Sequence, residues 1–173
     1  KKSALAKPSS SNPAKPKVLF KSKVVTAQTP GQRIEISAVI EGAKELHLYV
    51  SDAGDGYSCD WADWVNPRLV EPSGKETNLN SMKWKSASSG WGTVKLNKNT
   101  GGAAMKVAGR KVEGIGCHAN SLISYQLPSN HKFTRFLAGG ALDDGGALQG
   151  GSGNRSSIQF YVYSEKPKVC LLY

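Results

Sequence analysis

The chain has 173 residues, 39% of them hydrophobic, with 23 Lys and Arg against 13 Asp and Glu and a net charge of +10. That length fits one domain plus tails and can bury a sizeable core, while no apolar run is long enough to cross a bilayer as a helix. The basic excess points to a solvated face or to an anionic polymer such as a sulfated or uronic polysaccharide. No zinc-finger, helix-turn-helix or aromatic RNA-binding signature occurs, so nucleic acid is not an expected partner.

Lysines 1, 2, 7, 15, 17, 21 and 23 crowd the first segment. Residues 1–17 are too polar to fold alone and read as a basic Pro/Ser-rich linker, stiffened by Pro8, Pro13 and Pro16. With no initiator Met and no signal-peptide core, the chain is expected to be a fragment or a processed product. Alternation then predicts strands over Arg33–Ile40, with Ile34, Ile36, Ala38 and Ile40 on one face, and over Glu45–Val50, with Leu46, Leu48 and Val50 inward. Ser121–Leu127 groups Ile123, Tyr125 and Leu127 before Pro128 stops it. Lys132–Ala138 has Phe133 and Phe136 out of phase, which predicts a bulge. Ser157–Tyr163 alternates cleanly, with Ile158, Phe160 and Val162 together. Short strands separated by Gly-, Ser- and Asn-rich turns, without a long helical period, predict an all-β antiparallel sandwich or jelly roll. Residues 18–165 would form it, and 166–173 would begin a linker or a following module. Lys15-Pro-Lys-Val-Leu-Phe20 near the start is echoed by Lys166-Pro-Lys-Val-Cys-Leu171 near the end.

The chemistry concentrates in Ser51-Asp-Ala-Gly-Asp-Gly-Tyr-Ser-Cys-Asp-Trp-Ala-Asp-Trp64. Asp52, Asp55, Asp60 and Asp63 repel one another unless a cation shares them, and a glycine-softened loop suits Ca²⁺, which takes six to eight oxygen ligands. The same acids also suit loop ordering, through bonds to backbone N–H groups. Trp61 is expected to be exposed as a surface for a sugar ring, and Trp64 to be core. Trp91, between Gly90 and Gly92, offers a second open ring face, whereas Trp84 and Tyr125 read as core. His118 and Asn120 follow Gly114 and Gly116, and both side chains can donate to one sugar hydroxyl and accept from another. A satisfied structural histidine is the other reading. Asp143-Asp144, before Gly145-Gly146, is a further metal candidate or a solvated turn. Cys59, Cys117 and Cys170 match no metal or redox spacing, and a Cys59–Cys117 bridge is possible.

Together, Trp84-Lys-Ser-Ala-Ser-Ser-Gly-Trp-Gly92, Gly114-Ile-Gly-Cys-His-Ala-Asn-Ser121, Tyr125-Gln-Leu127, Asp143-Asp144 and Ile158-Gln-Phe-Tyr-Val162 resemble the NPCBM domain, a carbohydrate-binding module often attached to glycoside hydrolases. The acidic loop and Asn66-Pro-Arg-Leu-Val70 resemble that family's final strand and loop, yet here they precede the other segments. A circular permutation, or a cut across tandem modules, accounts for this order. Multidomain proteins of planctomycete-type bacteria are similar in arrangement. The resemblance implies a galactose-binding-like sandwich that binds galactose-type glycans, holds a structural calcium ion and catalyses nothing.

The residues agree on catalysis. No nucleophile elbow is present, and the carboxylates needed for glycosidic cleavage stand among glycines, where a cation suits them better. The leading expectation is therefore a non-catalytic glycan-binding module of a larger extracytoplasmic bacterial protein. Its partners would be a glycan and the neighbouring domains. A scaffold sandwich that has lost its sugar site is the alternative.

Overall fold

A computed structural model describes residues 16–169, without the side chains of 152–154. It contains fourteen strands among those residues. In chain order they begin β1 (Val18–Lys21), β2 (Val25–Thr26), β3 (Arg33–Val39), β4 (Glu45–Ser51) and β5 (Trp61–Val70). Then come β6 (Glu76–Asn78), β7 (Ser86–Ser88), β8 (Lys95–Leu96), β9 (Lys106–Val107) and β10 (Arg110–Lys111). The last four are β11 (Gly114–His118), β12 (Ser121–Gln126), β13 (Arg135–Leu142) and β14 (Ser157–Tyr163), with a turn of α-helix, α1 (Asp144–Ala147), and a 3-10 segment (Gly150–Arg155) before β14.

One large sheet runs β1-β14-β4-β12-β7, with β2 also on β14, the other β3-β13-β5-β11-β8, with β6 also on β5, and β9 and β10 pair as a separate hairpin. Every pairing is antiparallel. The fold is an all-β sandwich, as the alternating strands predicted.

The period-2 sets named above meet between the sheets: Ile36, Ala38 and Ile40 with Leu46, Leu48 and Val50, Ile123 and Tyr125, and Ile158, Phe160 and Val162 are all buried in one cluster. Trp64 joins the layers, edge-on to Phe160 of one sheet at 4.9 Å and tilted against Phe136 of its own at 6.1 Å. Trp84 is only half-buried, packed on the margin of that core.

Three sequence expectations need correction. Residues 61–64 belong to the central strand β5, because Trp64 must reach the core and the ladder to β11 and β13 carries it there. The strand expected over Lys132–Ala138 begins only at Arg135; Phe133 lies before it, and the irregularity falls between Leu137 and Gly139, opposite β5. Cys59 and Cys117 carry free thiols. Cys117 points into the core from β11, and burial pushes its thiol up to about 12. Cys170 lies outside the described residues, as do the structures of 1–15.

Strand direction defines two poles. At one, the loop 52–60 between β4 and β5, the loop 89–94 between β7 and β8, and the turn Ala119–Asn120 between β11 and β12 come together. Opposite them lie the β3–β4, β5–β6 and β12–β13 connections, beside the ends of β1 and β14.

Candidate functional site

Trp61 on β5 and His118 on β11 are cross-strand partners. They share a face with Asp63 and Val65, so both point away from the inter-sheet core. Trp61 is half-buried, not exposed as its polar surroundings had suggested. Gly101, Gly145 and Gly146 press on its ring, leaving no room for a Cβ. Trp91 stacks over it at 5.5 Å with 26° between the planes. The outer ring is therefore Trp91, which is 53% exposed.

The Trp91 loop is stitched to the His118 strand. Gly90 N donates to His118 O at 3.0 Å, His118 N donates to Ser89 Oγ at 2.9 Å, and Thr100 Oγ1 donates to Trp91 O at 2.7 Å. His118 lies edge-on to Trp91 at 6.2 Å and to Tyr57 at 6.3 Å. Tyr57, 50% exposed, was missed in the sequence. Its signal was there, an aromatic between Gly56 and Ser58 inside the acidic loop.

His118 is 4% exposed, and burial holds its imidazole below the usual histidine range. Nδ1 meets the Ala119 carbonyl at 2.5 Å, and a carbonyl only accepts, so Nδ1 carries the proton. Nε2 is left as an acceptor, with no partner among the described residues, yet it is not among the sealed-off polar atoms. Asn120 is engaged from behind: its Oδ1 accepts from Asp52 N and from Tyr49 Oη, both at 3.1 Å, tying the acidic loop to the β11–β12 turn.

The six candidate metal ligands separate into two neighbourhoods. In the rim loop, Asp52 caps Gly54 N at 3.0 Å, and both Asp55 oxygens lie 2.8 Å from Ser157 Oγ. Asp60 is buried, accepting from Ser157 N at 3.0 Å through Oδ1, while Oδ2 has no partner among the described residues. Burial, with the charges of Asp55 and Asp52, pushes its carboxyl up to about 8.

Beneath the β9–β10 hairpin lie Asp63, Asp143 and Asp144. Asp143 accepts from Gly145 N, Asn99 Nδ2 and Lys106 N at 2.8–3.0 Å, and Asp144 from Gln32 Nε2 and Gly109 N. These two carboxylates gather three loops. Asp63 receives no donor from the described residues, and burial together with the facing Asp143 holds its carboxyl well above the usual carboxylate range. Among the described residues no group of three or more His, Cys, Asp or Glu is arranged to hold a metal ion.

One constellation has the composition of a nucleophile relay. Ser124 Oγ meets His47 Nδ1 at 2.8 Å, and His47 Nε2 meets Glu45 at 3.1 Å, with Lys85 on the same carboxylate at 2.6 Å. Ser124 is 2% exposed, so no substrate reaches it. The network ties strands together.

A model of the NPCBM/NEW2 domain family matches residues 14–70 and 75–170. The chain belongs to the NPCBM/NEW2 family. It is a family of carbohydrate-binding modules, and in this NPCBM domain the exposed aromatic rings Trp91 and Tyr57 gather at one pole. No curated protein matches the chain. No solved structure matches it either. Among the described residues no helix of this NPCBM domain is long and apolar enough to cross a membrane.

Proposed function

We propose that this NPCBM domain is a non-catalytic module that binds galactose-type glycans at its aromatic pole, within a larger extracytoplasmic protein. One observation carries the reading: a neutral, buried His118 keeps Nε2 as an unused acceptor beside the exposed faces of Trp91 and Tyr57. A pyranose has an apolar C–H face and hydroxyl edges, and such a ring stacks on Trp91 while a hydroxyl donates to Nε2. Trp61 backs Trp91, and Asn120 holds the loop that carries Tyr57. Lys95 Nζ, bound to Thr93 Oγ1 at 2.7 Å and Thr100 O at 2.9 Å, is linked to this shelf through Thr100, whose Oγ1 donates to Trp91 O. It is the group that would favour a sulfated or uronic variant of the ligand. Binding of galactose, its sulfated and uronic derivatives and galactose-terminated glycans, read by array and calorimetry, tests the proposal. Failure of every sugar would leave the scaffold role.

The pH dependence has a definite sign. Because the folded pKa of His118 lies below the ordinary 6.5, the acceptor is intact above that value and is lost as pH falls through the folded pKa. Affinity measured by calorimetry should be level from pH 8 to 6.5. It should drop about tenfold for each unit below the folded pKa. Any contribution of this group to stability is lost in the same direction.

Calcium fits best at Asp55 and Asp60, whose carboxylates both contact Ser157 and include the orphaned, buried Asp60 Oδ2. Backbone carbonyls and water would complete the shell. Proton and metal compete for that oxygen, which separates the two states. A buried carboxyl with a raised pKa contributes stability that is complete below the unfolded value of 3.8 and is lost as pH rises through about 8. In chelator the melting temperature should therefore fall between pH 5 and 8, less steeply in Asp60→Asn. Millimolar Ca²⁺ should restore it at pH 8 and do little at pH 5; an equal response at both pH values would defeat the metal.

A further inference from the structure

Residues 77–112 contain no acid, and the later part of that run, 95–111, carries Lys95, Lys98, Lys106, Arg110 and Lys111. It folds as a cap on the outward side of the β3-β13-β5-β11-β8 sheet. Lys98 O and Asn99 lie against Gly116 of β11, and Val107 and Val112 pack with Val65 of β5 and Ala141 of β13. Asn99 Nδ2 and Lys106 N donate to the two oxygens of Asp143, each at 3.0 Å, which clamps the loop to the hairpin. The cap also adjoins Trp91. Thr100 Oγ1 donates to Trp91 O, and Gly101 presses on Trp61, the ring stacked with it.

Alternation sorts the side chains of the hairpin. Val107 and Val112 face the sheet, so Lys106 and Lys111, their neighbours in sequence, face solvent. These two lysines are cross-strand partners, and both are exposed. Like charges directly opposite one another weaken a strand pair. None of the cap's cations forms an ion pair among the described residues. The acids beneath them, Asp143 and Asp144, are buried and turned to N–H groups of the cap itself. The lysine pair therefore adds nothing to the fold and suits an external anion.

We propose that this cap is an extended subsite for an anionic polysaccharide, with Lys98, Lys106 and Lys111 meeting sulfate esters or uronic carboxylates of a chain that runs on from Trp91. The polysaccharide class rests on the reading of Trp91 as a sugar shelf, whereas the anionic character rests on the cap alone. Lysine is a compact point charge on a flexible stem, so these contacts read charge and spacing rather than ring stereochemistry.

Calorimetry of the whole chain with galactan-type oligosaccharides of equal length, one neutral, one sulfated and one of galacturonate, tests this beside a single-stranded oligonucleotide. At low salt an anionic chain should bind about tenfold more tightly than the neutral one. That advantage should vanish in roughly 1 M salt, where charges are screened within about 3 Å. Whichever chain shows it identifies the anion as sulfate or carboxylate. Lys106→Ser with Lys111→Ser should erase the advantage and leave the neutral chain's affinity unchanged. The melting temperature should hold or rise, because the bond to Asp143 comes from the backbone. Lys44→Ser with Lys132→Ser removes the same charge at the opposite pole and should keep the advantage. An equal loss in both double variants would make the effect one of net charge and overturn the proposal. So would an oligonucleotide bound as tightly as the better saccharide. The two readings fail separately. A neutral chain that binds with no advantage for either anion retains the shelf and removes the cap; an anionic chain held through Lys106 and Lys111, with no neutral binding, removes the shelf and retains the cap.

Discussion

Trp91→Ala is expected to abolish measurable glycan binding while the domain stays folded. The ring contributes the exposed stacking face, and truncating a central aromatic anchor typically costs about 2 kcal/mol or more, roughly a 30-fold loss. Single-site sugar contacts are weak already, so such a loss takes binding out of the calorimetric range. The same change removes the stack on Trp61, and aromatic pairs add about 0.5–1.5 kcal/mol beyond their buried area. Melting should therefore shift down by only a few degrees, at roughly 2–4 °C per kcal/mol for a chain of this size. A cooperative loss of fold would show that Trp91 holds the domain together, and unaltered binding would move the sugar elsewhere.

The second large effect comes from a residue with no side chain. Gly90 packs against the β11–β12 turn so closely that an added Cβ would overlap Ala119 O and the peptide linking it to Asn120. The obstacle is backbone on both sides, so the β7–β8 loop must move as a unit. Overpacking of this kind costs about 1–3 kcal/mol or more. Gly90→Ala should lower the melting temperature by roughly 2–12 °C. It should also weaken binding, because the hydrogen bond from Gly90 N to His118 O is what brings Trp91 over the site. The discriminating comparison is Gly42→Ala, at a positive-φ turn with open space around it. That variant should lose stability through backbone strain alone and leave the affinity intact.

The sandwich class and the strands β3, β4, β12 and β14 were legible in residue order, whereas the central β5 and β11 were not. Period-2 alternation in β3, β4, β12 and β14 is a local property, because burial on one face repeats every second residue whatever the partner strand turns out to be. The open ring of Trp91 between two glycines was equally visible, whereas the engagement of Asn120 by Asp52 and Tyr49 was not.

What only the tertiary structure decided is which face of β5 each acid and tryptophan takes, and what covers it. Trp61 is covered by Trp91 and three distant glycines, and Asp63 by a hairpin some forty residues further along. The same holds for Asp143 and Asp144, whose donors come from Gln32, Asn99, Lys106 and Gly109. A carboxylate's role as ligand or loop clasp depends on which N–H groups reach it. Those contacts are made across the fold, by residues that spacing along the chain does not connect.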